Sequence, residues 1–230
     1  MSTPVENENK TQLDALYPFL TPKKQDPESM NLALLESVSQ KRNEHQAAID
    51  EFFDANGQLM VDTAQSLAES YRKNGRLYTM GNGGSSSDAA HIAVEFQHPV
   101  TVGRPALPAF DLSSDKTMLT AVANDVGYAQ VFSRQVIALV QSQDTLIGVS
   151  TSGNSENLVN GFSQAMKQGA TTIGLAGGDG GKMLEMGLTH CLVVPSDSIH
   201  RVQECHLAIY HMLWDLVHTL LADDRGDLEK

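Results

Sequence analysis

DTLIGVSTSGNSENLVNGFSQAMKQGATTIGLA, residues 144–176, holds the pattern that decides the fold. A β-rich run, DTLIGVS, gives way to a Ser- and Gly-rich turn, then to a helical pattern, then to a second β-rich run, TTIGLA. Two strands joined through a helix must run parallel, because a hairpin has no room for one. Working outward, RLYTM (76–80), ALPAFDL (106–112) and THCLVV (189–194) repeat the alternation at intervals of roughly 20 to 30 residues. The spacing predicts an α/β domain with five parallel strands and crossover helices.

Ahead of the first strand, Leu32, Leu35, Val38, Ile49, Phe52 and Phe53 form one helical set, and Leu59, Met60, Ala64, Leu67 and Tyr71 a second. Asn56-Gly57 between them reads as a break, so two N-terminal helices are expected, paired as a hairpin. Residues 1–30, with Pro4, Pro18, Pro22 and Pro27 among polar residues, read as a loosely ordered arm, and residues 31–230 as one domain. A last helix over about 198–222 has apolar residues around much of its circumference, which predicts burial against another subunit as well as the sheet.

A net charge of -12 disfavours attraction to nucleic acid or anionic lipid, so an anionic ligand must be held by local groups. No apolar run approaches the ~20 residues of a membrane helix, and the first residues lack a targeting pattern, so a soluble cytoplasmic protein is expected. Cys191 and Cys205 are too few for a disulfide framework and read as reduced packing residues.

The turn Ser150 to Ser155 follows a strand and opens a helix, placing Asn154 or Ser155 near the N-cap. Helix N-termini offer unsatisfied N–H donors and a partial positive charge, and Ser150, Thr151, Ser152 and Ser155 add hydroxyls while Gly153 permits close approach. Such a loop suits a phosphate monoester without any lysine, and it matches neither a Walker A loop nor a dinucleotide fingerprint. A second polar loop, Gly81-Asn82-Gly83-Gly84, follows the first strand, and in a doubly wound sheet strands one and three flank the switch point where ligands bind. Asn124 and Asp125 end a helical stretch and offer further groups to sugar hydroxyls.

His91 and Glu95 lie four apart on the helix after that second loop, an arrangement suited to ligating a metal or to acid/base work. Gln203 and His211 lie on the last helix, eight residues or about 12 Å apart, too far for one ion. If both serve one site, they come from different subunits. His45, His98, His190, His200 and His218 show no convergent partners in the sequence.

In order and in register, GNGGSSSDAAH, RPALPAF, ANDVGYAQVFSRQV, STSGNS, GGDGGKM and RVQECHLAIYH resemble the sugar isomerase (SIS) domain superfamily, and within it the bacterial sedoheptulose 7-phosphate (phosphoheptose) isomerases, over residues of about 35 to 222. The resemblance implies a three-layer αβα sandwich of flavodoxin-like order and a homotetramer with shared active sites. It implies substrate contacts at Asn82, Gly83, Gly84, Glu95, Asn124, Asp125, Ser150, Thr151, Ser152, Ser155 and Gln203, and a zinc site at His91, Glu95, Gln203 and His211. The implied reaction converts sedoheptulose 7-phosphate to D-glycero-D-manno-heptose 7-phosphate through an enediol, for envelope heptose synthesis, with Glu95 and His211 as acid and base. A Glu on zinc is a weaker base than a free one, so the two roles of Glu95 compete.

Three departures stand out: a long N-terminal arm, Phe96 where the family has a second acidic residue, and Ser86 where some members have His. Two other readings remain open on sequence: a non-catalytic SIS protein that binds a phosphosugar as a signal or tethers a replication initiator, and an isomerase of another sugar phosphate.

Overall fold

The computed structural model describes residues 26–223, so most of the expected arm lies outside the described residues. The chain divides into two units at Asn43/Glu44. The first, as far as it is described, is the N-terminal part of a helix α1, Pro27–Arg72, with Leu32, Leu34, Leu35 and Val38 exposed.

The second unit contains the rest of α1 and a parallel sheet. Its elements run β1 (Leu77–Gly81), α2 (Gly84–Gln97), β2 (Ala109–Asp111), α3 (Lys116–Val126), a 3-10 turn (Tyr128–Gln130) and α4 (Val131–Leu139). They continue through β3 (Thr145–Ser150), α5 (Glu156–Gln168), β4 (Thr171–Gly177), α6 (Gly181–Glu185), β5 (His190–Val194) and α7 (Ile199–Asp223). Strand order is β2-β1-β3-β4-β5, all parallel, which confirms the expected flavodoxin-like sheet.

β1 and β3 are buried along their whole length, as central strands covered on both faces must be. One face packs a core from α1, α2 and α7, including Phe52, Leu67, Phe96, Ile209 and Val217; the other packs Phe132, Val136, Leu158 and Phe162 from α4 and α5. Because β1 connects outward to β2 on one side and neighbours β3 on the other, the carboxyl ends of β1 and β3 form the switch-point crevice.

One expectation is corrected. In place of a helical hairpin there is a single 46-residue helix that runs straight through Asn56-Gly57. A helical Gly costs only about 1 kcal/mol against Ala. Phe52, Met60, Ala64 and Leu67 keep one buried stripe on both sides of it, each large side chain contributing about 1.5–3 kcal/mol. Asn56 Nδ2 donates to the Phe52 carbonyl at 2.9 Å, inside the helical path, so nothing there ends the helix.

Candidate active site

Ser155 takes the N-cap position of α5 but makes no side-chain capping bond, which leaves the first-turn N–H groups without that internal acceptor. Its Oγ instead lies 3.2 Å from the Oγ of buried Ser150, across the base of the loop. Gly153 adopts φ +64° with its Cα directly against the Gly180 carbonyl, so no side chain fits there. The Gly153 carbonyl accepts from Met183 N–H at 3.0 Å, and Asn154 Oδ1 accepts from Lys182 N–H at 3.1 Å. The GGDGGKM segment thus clamps the loop from behind, at the start of α6. In front of Thr151, Ser152 and Asn154 opens a cleft of about 390 Å³, bounded opposite by Gly178, Asp179, Ser196 and Asp197.

The first loop meets the start of α5 through Asn82. Its amide and that of Asn157 donate to each other at 2.9 Å in both directions, and Tyr128 O–H donates to Asn82 Oδ1 at 2.7 Å. Asn82 therefore ties β1 to the first turn of α5; Tyr128 lies within the ANDVGYAQVFSRQV motif, whereas no sequence pattern singles out Asn157. Gly83, at φ +54°, turns the chain into α2, and its carbonyl accepts from both the N–H and the hydroxyl of Ser86. Gly84 lies directly under the Gln203 amide. Asn124 and Asp125, exposed at the end of α3, bond each other at 2.8 Å rather than either loop.

Two turns along α2, His91 Nε2 stands 3.1 Å from Glu95 Oε1, and the His211 ring from α7 meets the His91 ring edge-on at 5.2 Å between centroids. Ligand atoms from His91, Glu95 and His211 all lie within 4.8 Å of one another. Trp214 Nε1–H, one turn beyond His211, donates to the Glu95 carbonyl at 2.8 Å and fixes α2 against α7. Burial, with the His91 charge adding to it and Glu95 opposing, lowers the His211 pKa and favours the neutral imidazole that a ligand or base requires. Burial pushes the Asp88 carboxyl up to about 6, against the pull of His91.

Within one chain this geometry brings His211, but not Gln203, to His91 and Glu95, as the helix spacing predicts. His211 reaches His91 and Glu95 of its own chain, because α2 and α7 pack side by side on one face of the sheet. Gln203, eight residues or about 12 Å earlier on the same helix, sits at the loops instead. Among the other histidines, His45 Nδ1 lies 2.7 Å from Glu204 Oε2, and His190 Nε2 lies 2.8 Å from Ser66 Oγ.

A model of the SIS domain matches residues 42–177. The chain belongs to the SIS domain family. Within that family it is 41% identical over 178 residues to a phosphoheptose isomerase of Helicobacter pylori, covering 77% of this chain and 92% of the relative. It is also 46% identical over 154 residues to that of Sulfurimonas denitrificans, covering 67% and 78%. The solved phosphoheptose isomerase of Francisella tularensis superposes with a TM-score of 0.77 at 32% identity, over 80% of this chain and 98% of that one. The Neisseria gonorrhoeae enzyme gives 0.76 at 34%, over 81% and 99%. Within the SIS fold the two loops and the His91, Glu95, His211 cluster all lie in the second unit of this chain.

Proposed function

We propose that this chain is a phosphoheptose isomerase in which the Ser150 to Ser155 loop holds the phosphate while Glu95 and His211 move protons at the sugar's other end. The protein is an enzyme with sedoheptulose 7-phosphate isomerase activity, and the product assigned here is D-glycero-D-manno-heptose 7-phosphate. The convergence of His91, Glu95 and His211 is the observation that supports this division of labour, because an adaptor has no chemical need for it.

Isomerisation takes a proton from C1 and protonates O2 to give the enediol, then protonates C2 as the O1 proton leaves. Each transfer needs a base or an acid within reach of the sugar, and the lowered pKa of His211 keeps its ring neutral, with a lone pair free to take a proton. The uncapped amides of α5 and the loop hydroxyls bind the phosphate, with Asn82, Gly83, Gly84 and Gln203 along the sugar.

Two imidazoles and a carboxylate are the donor set of a catalytic zinc site, and their mutual distances fit one ion. Zinc bound there would supply polarisation of the carbonyl and hydroxyl oxygens. Gln203 of the same chain does not reach that set. We further propose a homotetramer: Val94, Leu207 and Met212 leave apolar surface exposed on α2 and α7, which a second copy would cover without supplying His211. We also propose a cytoplasmic location, because a dianionic sugar phosphate does not cross a membrane unaided.

Purified protein should isomerise sedoheptulose 7-phosphate in preference to other heptose and hexose phosphates. Zinc should co-purify, and chelation should abolish turnover reversibly. Inactivity on every sugar phosphate with zinc present would sink the reading.

A further inference from the structure

His91 uses both ring nitrogens. Nε2 faces Glu95 at 3.1 Å, and Nδ1 lies 2.7 Å from the Tyr210 hydroxyl. Tyr210 is only 3% exposed and packs edge-on against both His91 and His211, with centroids at 5.4 and 4.9 Å. Nothing in the isomerisation chemistry uses its hydroxyl.

Which imidazole nitrogen holds the proton is set by the hydrogen bond at the other. For Nε2–H to donate to Glu95, Nδ1 must accept, and the Tyr210 O–H can donate to it. For Nε2 to offer a lone pair to a cation, Nδ1 must hold the proton and donate, and the same phenol oxygen can accept. A carboxylate or carbonyl, the usual partner of a metal-binding His, serves only the second state. Tyr210 serves both by turning one O–H bond.

In the second state the phenol proton needs another acceptor. Asp88 lies three residues before His91 on α2, and its Oδ2 is buried without a hydrogen-bond partner. Its charge acts on both His91 and Tyr210.

We propose that Tyr210 is a positioning residue whose hydroxyl reverses its hydrogen bond to His91 Nδ1, switching Nε2 from donor toward Glu95 to open ligand for a divalent cation, with Asp88 accepting the phenol's hydrogen bond while the phenol keeps its proton. The switch rests on the reading of His91, Glu95 and His211 as a zinc site.

Tyr210→Phe removes only the hydroxyl, and Tyr210→Met, smaller but flexible, provides a second hydroxyl-free variant should the Phe variant fold poorly. In the full-length chain, both should bind zinc roughly 10- to 100-fold more weakly than wild type in competition with a chromophoric chelator. kcat should fall with KM for the sugar phosphate unchanged. Nitrogen-15 spectra of the metal-free protein should show His91 as the Nε2–H tautomer in wild type and as a mixture in the variants. Equal zinc affinity and an unchanged His91 tautomer in the variants would overturn the switch alone. A wild type that binds no zinc would overturn the metal reading and the switch with it.

Discussion

At the carboxyl ends of β1 and β3 the proposed anion pocket is made of backbone and short side chains, packed so closely that Gly153 admits no Cβ against the Gly180 carbonyl. The His91, Glu95, His211 cluster is built the opposite way, from three longer side chains on two helices, with the His91 and Glu95 side chains 39% and 25% exposed. The first region owes its shape to close packing and turn geometry, and the second to how α2 and α7 dock. Substitutions in the first should therefore weaken substrate binding, and substitutions in the second should slow the chemistry.

The sharpest way to break that contrast is Glu95→Gln, which should lower kcat by about 10³-fold with little change in melting temperature. Steady-state kinetics that show a raised KM instead would erase the distinction. The next effect concerns His206, whose Nε2 lies 3.0 Å from the Ala176 carbonyl and which joins the two regions through α7.

Burial lowers the His206 pKa to about 4, so the folded protein keeps it neutral while the unfolded chain takes up a proton. Its contribution is whole above the unfolded value near 6.5 and is lost as pH falls toward 4, by about 3 kcal/mol. Denaturant titrations across that window should show the loss, and His206→Gln should flatten it.

Gly153→Ala drives a methyl into the Gly180 carbonyl at a positive φ and should cost about 1–3 kcal/mol of stability. KM should rise about tenfold while kcat changes less, as measured with the same substrate. Smallest of all, Trp214→Phe deletes the donor to the Glu95 carbonyl and should cost about 1 kcal/mol in thermal unfolding, with a modest fall in kcat.

The sheet was legible because each strand is a compact apolar run bounded by turn residues, and parallel crossovers constrain the order. The Ser150 to Ser155 loop was legible for the same local reason. The long α1 was not, since Asn56-Gly57 has the local look of a break and only the buried stripe from Phe52 to Leu67 overrides it. His91 and Glu95 announce themselves by spacing, but their partners do not. Asn82 with Asn157, His91 with Tyr210, and Glu95 with Trp214 are pairings across 75 or 119 residues, and contacts at such separations leave no periodic trace.

Helix α7 carries Gln203 against the loops, His206 against β4 and His211 in the cluster, all on one uninterrupted element. Under the proposed assignment it acts as a measuring rod between the loops that would anchor the phosphate and the cluster that would move protons. One residue inserted between Gln203 and His211 would swing His211 about 100° around the axis while leaving Gln203 in place. On the proposed roles of Gln203 and His211, the span of sugar accepted is thus set by the residue count of that helix, where insertions and deletions should be costlier than substitutions.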